Sequence, residues 1–289
     1  MRWQMGRRSA NVEDRRGAGP ASPLGRGGVR IGGLGLVVVV VAMLLGVDPS
    51  LLLQGLQPVE PEPRRSTPTL PRDPESQRLA EFVSVVLADT EDTWKELFRR
   101  GGATYEEPRL VLFSGATESA CGFAEAAVGP FYCPGDRKVY LDLDFFAELE
   151  RRFEAPGDFA QAYVVAHEVG HHVQTLLGIS RQVREAQAGQ DERGRNRLQV
   201  MMELQADCLA GVWAHHAQRA RQVLEPGDLE EGLAAAAAVG DDRIQRRTRG
   251  QVVPDAFTHG SSAQRQRWFV TGLRSGSLDA CDTFNAPGL

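Results

Sequence analysis

Lysine is nearly absent from this sequence: Lys95 and Lys138 stand against 31 arginines. No stripe of basic residues runs through residues 31–289, and phosphate binding needs clustered Lys and Arg, so nucleic acid is set aside as a partner. Cysteine is scarce as well. Cys121, Cys133, Cys208 and Cys281 are too few and too spread for a small disulfide scaffold, and none forms a C-x-x-C pair, which argues against a structural zinc ribbon. No internal repeat is visible.

Charge is divided unevenly. Residues 1–30 carry seven arginines against Glu13 and Asp14, giving +5, so the net charge of -5 leaves -10 for residues 31–289. Residues 31–47 hold no charge, and the apolar run resumes at Leu51–Leu53. As a helix the uncharged run measures about 25 Å, close to the ~30 Å hydrocarbon core of a bilayer. No A-x-A site follows it, which favours an uncleaved transmembrane anchor over 31–53 rather than a signal peptide. The arginines before it place 1–30 as a cytoplasmic tail and send the rest of the chain across the cell membrane in a single pass. Proline-rich residues 54–75 read as an extended linker. Residues 76–289 then make one globular domain.

Within that domain, a helix capped by Asp73 starts at Pro74 and ends at Gly101 and Gly102. Arg109–Phe113 and Lys138–Leu143 have strand composition, with a turn at Pro134, Gly135 and Asp136 after Phe131–Cys133. Helices follow over about 159–177 and 198–217, and another starts near Asp228 with Glu231 placed as in a capping box. Short strands followed by a helical half predict an α+β fold.

His167, Glu168 and His171 form H-E-x-x-H inside the apolar stretch Tyr163–Leu177. Residues four apart share a helical face, so both imidazoles can reach one ion, while Glu168, turned by about 100°, faces the water on that ion. A catalytic zinc ordinarily has three protein ligands and one open position. Glu203 is the expected third ligand. Asp207, one turn on along the same helix, is placed to accept a hydrogen bond from a ligand imidazole. His172 points away from this face and reads as structural, and His215 and His216 lie too far along the Glu203 helix to join the site.

Cys121-Gly122, Gly129 to Cys133, Val139 to Leu143, Ala166 to Gln174, Glu203 to Cys208, Phe257 to Ser262 and Cys281 to Phe284 resemble the putative neutral zinc metallopeptidases of bacteria, over roughly residues 76–289. The resemblance implies an N-terminal anchor followed by one peptidase domain of zincin-like α+β fold, with an active-site helix and a second helix that supplies a Glu ligand. Glu203 to Asp207 is also similar to the E-x-x-x-D element of gluzincin peptidases, in which the glutamate is a zinc ligand. The arginine-rich N-terminus falls outside the resemblance.

The expected activity is zinc-dependent hydrolysis of peptide bonds in a peptide or protein substrate, with one Zn2+ and Glu168 as the base that activates the zinc-bound water. Substrate is expected as an added strand along Lys138–Leu143. His259 and Tyr140 are candidates by residue type for stabilising the oxyanion. The competing reading is a non-catalytic, zinc-stabilised, membrane-tethered binding or assembly module. Glu168 argues against it, because a closed four-ligand structural site has no use for a carboxylate beside the metal. Hydrolysis of a substrate other than a peptide is a third reading. In an oxidising compartment the cysteines are expected as Cys121–Cys133 and Cys208–Cys281 disulfides, with four free thiols as the alternative.

Overall fold

The computed structural model describes residues 1–17, 73–125 and 129–286. A four-stranded sheet runs in the order β1 (Val12–Asp14), β2 (Arg109–Phe113), β6 (Lys138–Asp142), β5 (Phe131–Cys133). β1 and β6 both pair parallel to β2, and β5 pairs antiparallel to β6. Leu110, Val111, Leu112 and Phe113 are all buried, the continuous apolar run of a strand covered on both faces. β3 (Ala116–Ser119) and β4 (Gly122–Glu125) form a separate hairpin.

Two expectations are corrected here. β6, expected as the edge that receives substrate, has a partner on each side, and the sheet ends beyond it at β5, with β1 at the opposite end. Residues 1–17 are not a tail set apart from the domain. They form one compact unit with the chain from residue 72 onward. Val12 pairs with Leu110, Asp14 with Leu112, and the Arg16 side chain donates to the Ser76 carbonyl at 2.7 Å. The Met1 ammonium meets Asp158 at 2.5 Å and Asp228 at 3.3 Å. A bilayer cannot lie between two hydrogen-bonded strands, so residues 1–17 share one side of any membrane with residues 73–286. The expected anchor at 31–53 and the expected linker up to residue 72 lie outside the described residues, and among the described ones no helix is long and apolar enough to cross a membrane.

Helix α1 (Pro74–Arg100) begins at Asp73, whose side chain accepts from the Ser76 amide at 3.2 Å. After β6 come α2 (Asp144–Arg151), α3 (Asp158–Leu176), α4 (Ile179–Gln187), α5 (Glu192–Arg221), α6 (Asp228–Ala238), α7 (Asp241–Arg249) and α8 (Ser262–Ser275). α5 starts earlier than its apolar pattern suggests because Asp191 caps it, accepting from the Gly194 amide at 2.8 Å. Glu231 does not close a capping box on α6. It reaches the neighbouring helix and accepts from the Phe159 amide at 3.0 Å, satisfying an orphan donor at the start of α3.

α3, α5 and α8 pack around Phe159, Trp213 and Phe269, all fully buried. Glycine sets two close approaches. A Cβ on Gly272 would stand 1.9 Å from the Cys208 carbonyl, so α8 lies directly on α5. A Cβ on Gly170 would stand 3.0 Å from the Ala206 carbonyl oxygen and 3.2 Å from its Cα. Gly170 lies between Glu168 and His171, and Ala206 between Glu203 and Asp207, so this contact brings the two sequence motifs side by side. Both expected disulfides are present, Cys121–Cys133 and Cys208–Cys281, and there are no free cysteines.

Candidate metal centre

The facing turns of α3 and α5 gather His167, His171 and Glu203, with one ligand atom from each lying within 4.8 Å of the others. His167 Nε2 stands 3.2 Å from one Glu203 oxygen and His171 Nε2 3.5 Å from the other. Gln199 also donates to Glu203 at 2.9 Å.

Each ring is held through its other nitrogen. His167 Nδ1 meets Asp207 Oδ1 at 2.8 Å, as expected for Asp207, and His171 Nδ1 meets the Gln174 side-chain oxygen at 2.8 Å. Two imidazoles whose Nδ1 atoms face acceptors turn their Nε2 lone pairs to a common point, together with a carboxylate. Three such donors and an open side match a catalytic zinc site. A second group of three carboxylates, Asp158, Asp228 and Glu231, lies around the Met1 ammonium, which already neutralises part of its charge.

Asp207 is fully buried and shares its charge with Arg265 of α8, whose Nε and Nη2 donate to the two carboxylate oxygens at 2.8 Å each. Tyr163 donates to the same carboxylate. Burial alone would raise the Asp207 pKa, but Arg265 and His167 hold it below the usual range. Burial likewise favours a neutral His167 ring, yet the Asp207 charge and the hydrogen bonds to Asp207 and Glu203 raise its pKa to about 9. Glu203 is kept well below the carboxylate range, against its burial, by His171 and His167.

The site floors a cleft of about 500 Å³. Glu168, buried, lines it alongside His167 and His171, with Phe131 and Tyr132 of β5 on one wall. His259 also lines it. The loop bearing His259 is fixed by Asp241, whose Oδ2 accepts from the amides of Thr258 (2.7 Å), His259 (2.5 Å) and Gly260 (3.0 Å) while Oδ1 stands 3.3 Å from His259 Nδ1. Gly260, with φ of +87°, packs on Leu204 and Val200, which puts the loop beside the turn that carries Glu203.

Tyr140, the other oxyanion candidate, is corrected: it is not among the cleft residues, and its hydroxyl donates to Asp136 at 2.7 Å. His172 is structural, as its orientation suggests, meeting the Glu106 carbonyl at 2.6 Å and the Tyr132 hydroxyl at 3.1 Å. His215 and His216 bond the Leu273 and Gly276 carbonyls at the end of α8. Sequence reasoning missed Arg265, Gln174 and Asp241. Only Gln174 carried a local signal, its position three residues after His171 on one helical face.

The family described as "Putative neutral zinc metallopeptidase" matches residues 1–284, so the likeness takes in the arginine-rich N-terminus as well. A protein of Escherichia coli K12, "Uncharacterized protein YpfJ", is 50% identical over 289 residues, covering 98% of this chain and 99% of its own. A Mycobacterium tuberculosis H37Rv protein, "Uncharacterized protein Rv2575", is 44% identical over 263 residues, 86% of each chain. No solved structure matches. With this match over nearly the whole chain, the chain belongs to the putative neutral zinc metallopeptidase family.

Proposed function

We propose that this protein is a zinc-dependent peptidase acting on peptides or unfolded polypeptide. His167, His171 and Glu203 would hold the ion. A zinc ion there supplies Lewis acidity and acidifies water. Glu168 takes a proton from the attacking water and returns it to the leaving amine, the work of a general base and then a general acid. Asp207 and Gln174 orient the two imidazoles. His259, its ring steered by Asp241, faces the cleft as the donor to the oxygen on which charge develops. The substrate backbone pairs with β5 at the end of the sheet.

The observation that carries this reading is Glu168. A metal kept only for structure is ordinarily closed by four protein ligands. Here the described residues bring three donors together, and the open side faces a cleft that Glu168 lines. The two disulfides support an oxidising, extracytoplasmic location for residues 1–17 and 73–286 together. The test is the full-length chain, zinc-loaded in detergent, on a diverse peptide library beside Glu168→Gln. Cleavage by the parent and none by the variant is the expected result. Absence of cleavage by both, with zinc bound, would favour the binding-module reading.

A further inference from the structure

His171 is held by a side-chain amide instead of a carboxylate, and the hydrogen bonds around that amide determine which way it points. Gln174, with no solvent exposure, donates from its nitrogen to the Met202 carbonyl at 2.8 Å and to the Gln205 side-chain oxygen at 3.0 Å. A backbone carbonyl only accepts, so the NH2 group must lie on the Met202 side and the oxygen must face His171. Gln205 is fixed by the same logic. Its nitrogen donates to the Cys281 carbonyl at 2.9 Å, which leaves its oxygen turned to Gln174. Cys281 is in turn cross-linked to Cys208, one turn beyond Gln205 on α5.

We propose that Gln174 and Gln205 are positioning residues that transmit a fixed hydrogen-bond polarity from the cross-linked Cys281 carbonyl to His171, compelling Nδ1 to carry the proton and Nε2 to face the metal. This rests on the metal-site reading above. Free imidazole can carry its proton on either nitrogen. An acceptor-only partner keeps a proton on Nδ1, so Nε2 is the nitrogen left for an ion. His167 obtains the same result from Asp207, so the two ligands are oriented by different chemistry, one ionic and one neutral. The neutral relay adds no negative charge to a buried site that already holds Glu168, Glu203 and Asp207.

The experiment is zinc affinity of the full-length protein by chelator competition, for the native chain, Gln174→Leu, Gln205→Leu and the double variant. Gln174→Leu should bind zinc about 10- to 100-fold more weakly. Gln205→Leu should show a smaller loss in the same direction, and the double variant should lose no more than Gln174→Leu, because both act along one path. Equal affinity in Gln174→Leu and native protein overturns the proposal, as does full addition of the two losses. Should Gln174→Leu fail to fold, 15N spectra of the zinc-loaded native protein decide the question: a protonated Nδ1 on His171 is expected, and a protonated Nε2 overturns the proposal. A native chain that takes up no zinc would instead remove the metal site itself.

Discussion

Arg265 grips Asp207 with two parallel hydrogen bonds of 2.8 Å in a site where neither side chain is more than 3% exposed. The pair holds a charge next to His167 without leaving it uncompensated, and removal of Arg265 takes away the guanidinium charge and leaves Asp207 only Tyr163 and His167. Arg265→Met should therefore destabilise the metal-free protein by about 3–5 kcal/mol in denaturant unfolding. Arg265→Lys should recover only part of this, since an ammonium cannot reproduce the planar fork. A Met variant as stable as the parent would mean that Tyr163 and His167 suffice to hold the Asp207 charge.

Metal content should depend on three side chains. His167→Ala, His171→Ala and Glu203→Ala should each lower bound zinc below one equivalent, while His172→Ala should keep the full equivalent and lose stability, because it leaves the Glu106 carbonyl unpaired. Elemental analysis of purified protein tests this, and a full equivalent in Glu203→Ala would remove that residue from the ligand set.

Glu168→Gln should bind zinc normally and lose turnover by about 10²–10⁴-fold, the usual contribution of a general base. His259→Ala should lower kcat by about 10²–10³-fold with little change in KM, the pattern of a donor that engages only in the transition state. A rise in KM alone would make His259 a substrate-binding residue.

Gly170→Ala inserts a methyl group against the backbone of Ala206, at 3.0 Å from its oxygen. α3 and α5 must then separate by a few tenths of an ångström, and Glu203 moves away from both imidazoles. Zinc affinity measured by chelator competition should fall while helical content is retained. Unchanged affinity would show that the donor set tolerates the displacement.

Acid should loosen the His259 loop. Burial pushes the Asp241 carboxyl upward, but His259 and the loop amides outweigh this and leave its pKa below the ordinary carboxylate value. A depressed folded-state pKa contributes stability that is present above the unfolded value, about 3.9, and is lost as pH falls through the folded one. Asp241→Asn should cost about 1–3 kcal/mol near neutrality. The gap between variant and parent, followed by chemical denaturation of metal-free protein, should close below about pH 4. A gap independent of pH would assign the loss to packing.

The parts of the site written on single helices were legible in the sequence. H-E-x-x-H declares itself by spacing, and Glu203 with Asp207 repeats the same four-residue interval amid apolar neighbours. Arg265 was not legible, because an arginine in a polar segment reads as surface until α8 is laid on α5 through Gly272 and Gly211. Sheet order was missed for a related reason: β6 looks like any apolar strand, and only pairing reveals that β5 lies outside it. The error over residues 1–17 came from charge. Arginines before an apolar run follow the rule for cytoplasmic tails, but Arg7 pairs with Glu91 and Asp92, and Arg16 with Asp14, all within the same compact unit.

Because Val12 pairs with Leu110, β1 has no partner in the sheet until β2, far along the chain, has been translated. Parallel pairing over such a separation is slow to form, since the loop must close before the contact rewards it. β1 should therefore be late to dock although it is early in synthesis. Until it docks, the outer edge of β2, with its buried leucines, is open to other chains. Val12–Asp14 thus covers an edge of β2 that can be covered only after β2 itself has been made.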